Sequence, residues 1–199
     1  MKLQRSLSVK NIQPVIFSGI KLGKTGGLVL LMAASLLVGC QRAADTYTPE
    51  EHFQLALKAI EQNDNPAIAF HRTALLDVPE FEPHVHLLTG ALDTQVGPNS
   101  PEAINDAMNE LMLACQHEET RVAAFVLIGK KMWEIQDLSS AIDWLKQAEQ
   151  HDKDYVPAHK WLAAIYYDLG AMQDAHDHLE QVAELDPYNA PAHFTMGII

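Results

Sequence analysis

Residues 122–155, VAAFVLIGKKMWEIQDLSSAIDWLKQAEQHDKDY, and residues 156–189, VPAHKWLAAIYYDLGAMQDAHDHLEQVAELDPYN, are two copies of one 34-residue unit. Ala141 recurs as Ala175 and Leu145 as Leu179, and Pro157-Ala158-His159 returns as Pro191-Ala192-His193. A fixed period of this size marks a stacked repeat, in which each unit buries its apolar face only against its neighbours.

Each copy divides into two amphipathic halves. In the second, Trp161, Leu162, Ile165, Tyr166 and Leu169 fall on one face of a helix. Gly170 ends that helix and opens a turn. Ala175, Leu179, Val182, Ala183 and Leu185 then share one side of a second helix, which Asp186-Pro187 stops because proline cannot continue it. Ala163 and Ala175, like Gly129 and Ala141 in the first copy, are small where two helix backbones must come close.

The period extends backwards. Ala107, Leu111 and Ala114 precede Ala141, Leu145 and Ala148 by 34 residues each, so 101–116 reads as a second-type helix. Its partner is 83–94, across the long turn Gly97-Pro98-Asn99-Ser100. An earlier pair spans 49–62 and 66–78, with Ala67, Ala74 and Pro79 at the equivalent places. The fold class is all-α, built from antiparallel helix-turn-helix units.

This pattern resembles the tetratricopeptide repeat, W-x2-L-G-x2-Y, then A-x3-F, then P. The second copy supplies Leu162, Ala163, Tyr166, Ala175, Leu179 and Pro187. The first supplies Ile128, Gly129, Met132, Ala141, Leu145 and Ala148, with Lys153 where proline is expected. Phe125 and His159 replace the leading tryptophan. The resemblance implies a right-handed α-solenoid over residues 49–199, with 190–199 starting a further unit. It also implies a concave groove, lined by the first helix of each unit, that takes up a protein or peptide. Its inward positions are Val126, Lys130 and Trp133, then Lys160, Ala164 and Tyr167, then Phe194 and Ile198. The lysine and asparagine set with which chaperone-binding members clamp a terminal carboxylate is missing.

Residues 1–39 read differently. They hold Lys2, Arg5, Lys10, Lys21 and Lys24, no acid, and an apolar run from Leu28 to Val38 that is short for a bilayer span of about 20 residues. A basic start and a short apolar stretch describe a secretory signal peptide. Leu37-Val38-Gly39-Cys40 resembles a bacterial lipobox, which implies cleavage before Cys40 and lipidation of its thiol. Two or three acyl chains, at about 0.8 kcal/mol per buried methylene, would make a stable anchor, with residues 40–48 as lipid attachment and tether. The expected address is the bacterial cell membrane or outer membrane, facing the periplasm or the exterior.

Removing residues 1–39 takes away five basic groups and no acid, so the formal charge goes from −12 to −17. Such a surface repels phosphate backbones, which argues against nucleic-acid binding. Cysteine is scarce: with Cys40 lipidated, Cys115 has no partner in the chain and reads as a small buried core residue.

No catalytic signature is present. There is no Gly-x-Ser-x-Gly, no phosphate loop and no His-Glu-x-x-His. His84 and His86, like His176 and His178, lie two residues apart and so point to opposite sides of a helix. No metal site, no cofactor and no catalysis are expected. His159 and His193 read as packing residues. The expected function is a membrane-anchored scaffold for protein–protein interaction at the cell envelope. Two rivals are an assembly factor for outer-membrane proteins or pili, and the regulatory or docking part of a larger enzyme. The sequence stops midway through a repeat with six uncharged residues, so either further repeats or a partner is expected to cover that end.

Overall fold

The computed structural model describes residues 47–97 and 100–197. Cys40, the leader and Ile198 lie outside them. Nine α-helices make up the described residues, with no strands: α1 (Pro49–Gln62), α2 (Asn65–Leu75), α3 (Glu82–Val96), α4 (Pro101–Ala114), α5 (Glu118–Glu134), α6 (Leu138–His151), α7 (Val156–Asp168), α8 (Met172–Leu185) and α9 (Ala190–Met196). A single 3₁₀ turn, Pro79–Phe81, precedes α3. The closest packing is within the pairs α1/α2, α3/α4, α5/α6 and α7/α8, and each pair stacks on the next. This is the expected α-solenoid of helix pairs.

The helix ends show why these residues start and stop where they do. Thr48 and Glu51 form a reciprocal capping box on α1. Asp64, Ser100, Asp137 and Asn189 each cap a helix by accepting a backbone N–H three residues on. The turn inside three units is one device repeated. Asn63, Gln136 and Gly170 take left-handed backbone conformations, with φ of 53°, 68° and 73°. The next residue of each turn, Asp64, Asp137 and Ala171, donates its N–H to the carbonyls of Ala59, Met132 and Tyr166, all at 2.9 Å. These bonds satisfy carbonyls that the helix end leaves open.

The small-residue contacts occur where the sequence puts them. A Cβ on Gly129 would lie 2.7 Å from Leu145 Cγ and 3.2 Å from the Ala141 carbonyl oxygen. Gly90 stands in the same relation to Leu111, at 2.6 Å, and to the Ala107 carbonyl, at 3.2 Å. Gly90 precedes Gly129 by 39 residues rather than 34, because the turn after α3 carries five extra residues. That insertion corrects the reading of the first pair. Counted across it, Ala141 and Ala148 correspond to Ile68 and Leu75, both fully buried. Ala67 and Ala74 are only partly buried.

The core falls into three clusters along the stack, the last of them around Leu179 and Val182. Phe53, Leu75, Leu87, Leu111 and Ile128 lie at its N-terminal end, and Leu145, Leu162 and Ile165 follow. Thr120, fully buried, donates its hydroxyl to the Ala114 carbonyl at 2.6 Å and so ties α5 to the end of α4. Cys115 is half-buried rather than buried, at the join of the first two core clusters. Burial pushes its thiol up to about 11. No helix among the described residues is long and apolar enough to cross a membrane.

Candidate functional site

The first helices α3, α5 and α7 neighbour one another, so their inward faces form one surface. Trp133 from α5 and Lys160, Ala164 and Tyr167 from α7 line one cavity of about 420 Å³. Ala163, Asp168 and Leu179 add to its walls, and Asn189, Pro191, Ala192 and Thr195 close its far side. Four of the eight expected groove positions therefore converge.

Trp133 is fixed from two sides. Its indole N–H donates to Asp168 Oδ2 at 2.9 Å, and its ring meets that of Trp161 at 5.3 Å. Both contacts cross from one unit to the next, so Trp133 packs the stack and lines the cavity at once. Tyr167 and Lys160 are exposed at the rim. Aromatic surface, three methyl-sized alanines, an ammonium, a carboxylate and an amide give a wall that an extended peptide can use for both apolar and hydrogen-bonded contact.

Ile198 lies outside the described residues, and the other three positions are placed elsewhere. Val126 is 5% exposed and packs into the core rather than onto the groove. Lys130 is half-buried and donates to Asn63 Oδ1 at 2.9 Å, with its ammonium 5.5 Å from the Trp161 ring centre. Burial lowers its pKa, with Glu134 opposing and Lys131 adding to the shift. Both residues face α1: Leu57, Ile60 and Asn63 lie across a cavity of about 70 Å³ from them. The chain's own first helix thus closes this part of the concave face. Tyr155, on the same cavity, is buried enough to push its phenol up to about 12. Phe194 is 73% exposed and does not line the larger cavity. Trp161, which the periodicity assigns to the core face, is half-buried, packs against the core and also lines the small cavity.

The tetratricopeptide repeat family model matches residues 133–196, the stretch that builds this cavity. That stretch is made of tetratricopeptide repeats. No curated protein matches the chain. The family's leading-tryptophan position is held by Phe125 and His159, and the structure shows what they do there. Phe125 meets Trp144 of the second helix at 5.5 Å, and His159 meets His178 at 5.4 Å. Both pairs are 19 residues apart, as are His52 and His71, whose Nδ1 atoms lie 2.9 Å apart. In the second unit, with its five-residue insertion, the same place holds His86 and Glu110 at 2.7 Å. Every helix pair is therefore pinned at one level by a cross-helix contact. The 19-residue spacing of the histidines was visible in the sequence, but it pairs residues across a turn, where chelation along one helix is not the test.

Proposed function

We propose that this protein is a lipid-anchored tetratricopeptide repeat scaffold of the bacterial envelope that holds an extended segment of another protein against Trp133, Lys160, Ala164 and Tyr167. The observation that carries the reading is the cavity of about 420 Å³ walled by those four residues, with a tryptophan held in place by Asp168. Rigid aromatic anchors beside small residues are what a peptide side chain needs in order to dock without ordering the receptor first. The chain carries none of the catalytic signatures sought, and the tetratricopeptide fold is typically a non-catalytic scaffold. Its acidic surface favours a partner segment with basic residues.

The anchoring half rests on Leu37-Val38-Gly39-Cys40 after the apolar run. Cys40→Ser, followed by fractionation and mass spectrometry of the mature N-terminus, tests it: a membrane-bound protein with an unmodified N-terminus rules it out. The binding half is tested with a photo-crosslinking residue at Tyr167 in intact cells, against the same residue at the exposed Gln173 of α8. Discrete protein adducts from position 167 and none from 173 support the groove. The same adducts from both positions overturn it.

A further inference from the structure

The cross-helix contact of the fourth unit differs from the others in having a third group. His159 Nδ1 and His178 Nδ1 lie 3.1 Å apart, and Glu149 Oε1, from the end of α6, is 3.8 Å from His159 Nδ1. One ligand atom from each residue lies within 4.8 Å of the others, and among the described residues this is where three such groups converge. We propose that Glu149, His159 and His178 bind a divalent transition-metal ion of the zinc type, joining the third repeat to the fourth.

The hydrogen bonding prepares the site. His159 Nε2 lies 2.8 Å from the Lys153 carbonyl oxygen, which only an N–H can satisfy. In the neutral ring the lone pair is then on Nδ1, facing His178. A backbone carbonyl on the far nitrogen is the usual outer support of a metal-binding histidine. His193 makes the corresponding bond to the Pro187 carbonyl at 3.0 Å, one period later, so the orientation is a property of the repeat. His178 is held by Tyr166, whose ring stacks on it at 5.6 Å with 6° between planes. Without metal, one Nδ1–H donates to the other Nδ1. With metal, His178 carries its proton on Nε2 and both Nδ1 atoms turn to the ion.

The distances suit a small tetrahedral ion. Metal–nitrogen bonds of about 2.0–2.1 Å place two donors about 3.4 Å apart, a few tenths of an ångström beyond what is seen. Two imidazoles and one carboxylate favour zinc, copper or nickel over magnesium or calcium, which take oxygen ligands. His159 is buried and His178 half-buried, so two ligands are already ordered. The fourth coordination position opens into a cleft of about 340 Å³ between Glu149, Lys153, His159 and Gln181. The three ligands come from α6, α7 and α8, so the ion would fix the angle between consecutive repeats whatever the groove binds.

The experiment is a cobalt(II) and a zinc titration of the untagged full chain in detergent, stripped of metal by a chelator. Visible absorption follows cobalt, and calorimetry follows zinc. One ion per chain is expected, with tetrahedral cobalt bands that zinc abolishes. Loss of an outer-shell partner alone costs about 10–100-fold in affinity, so Glu149→Gln and His178→Ala should each cost at least that. His176→Ala, next to the cluster and outside it, should cost nothing. His159 is buried and is left intact, and the circular dichroism of each variant checks that it folds. Absence of binding overturns the proposal and leaves a hydrogen-bonded histidine pair. So does one affinity shared by wild type, Glu149→Gln and His178→Ala.

Discussion

Gly129 approaches Leu145 so closely that a single added carbon would lie 2.7 Å from Leu145 Cγ, and Leu145 is itself fully buried. Replacing a mid-helix glycine by alanine ordinarily gains about 0.5–1 kcal/mol. Here the added methyl meets the branch point of a packed side chain, and overpacking costs about 1–3 kcal/mol. The second effect is larger. Gly129→Ala should lower the stability measured by urea denaturation, and Gly129→Leu should lower it further. A raised midpoint in Gly129→Ala would mean that the two helices are not this close.

Gln136 offers the opposite case. It holds φ of 68° at the turn position where the next repeat has Gly170 at 73°. A left-handed conformation costs a residue with a Cβ about 1–2 kcal/mol. Glycine costs about 0.4–1 kcal/mol through the unfolded chain. Gln136 is exposed and its amide reaches the Trp133 carbonyl only at 3.5 Å, so little else is lost. Gln136→Gly should therefore stabilise by about 0.5–1 kcal/mol, and Gly170→Ala should destabilise by a similar amount. Both are read from the denaturation midpoint.

These two sites also show what the sequence could disclose. The period placed Gly129 against Ala141 and Gly170 in a turn, because both constraints act within one repeat. In the first helix pair the five extra residues after Val96 break the 34-residue count, so the alanines Ala67 and Ala74 match the pattern by residue type while Ile68 and Leu75, one residue on, meet the core. The groove was half legible. Trp133, Lys160, Ala164 and Tyr167 lie on adjacent repeats and follow the period into one cavity. Val126 and Lys130 follow it too, but α1 covers them, and Lys130 bonds to Asn63, 67 residues earlier. No local pattern reports what a distant helix covers. The histidine contacts were overlooked for a related reason: ligands 19 residues apart meet only once the two helices fold back on each other.

His84 predicts a pH dependence. It is 3% exposed, with Phe53 at 4.2 Å and Phe81 at 4.6 Å from its ring. Burial lowers its pKa, and His117 adds to the shift, while Glu119 at 3.3 Å and Glu50 oppose it. Burial also lowers His71 and His178. With the folded pKa below the unfolded value of about 6.5, these rings contribute full stability above that pH and lose it as pH falls towards the folded pKa. The melting temperature should drop between about pH 7.5 and about pH 5.5. His84→Leu, which fills a similar volume and cannot ionise, should show a smaller drop than the wild type. An equal drop in both would place the titration elsewhere.

The last prediction separates groove from core on one helix face. Tyr167 is 43% exposed at the cavity rim, whereas Val126 is 5% exposed. Both occupy inward positions of a first helix, and only the structure distinguishes them. Truncating an exposed aromatic anchor removes contact area from a bound peptide but leaves the core intact. An interface anchor of this kind contributes about 1–3 kcal/mol, so Tyr167→Ala should weaken the captured partner's binding by about 10–100-fold with an unchanged melting temperature. Val126→Ala leaves a cavity among Phe125, Leu162 and the residues of α1, costing about 1–3 kcal/mol of stability. It should leave affinity unchanged at a temperature where the variant is folded. Calorimetric binding and thermal denaturation of the two variants, each against the wild type, decide the matter. If Val126→Ala were the one to lose affinity, the partner would have to displace α1, and the groove would extend over the inward positions of α5 as well as those of α7.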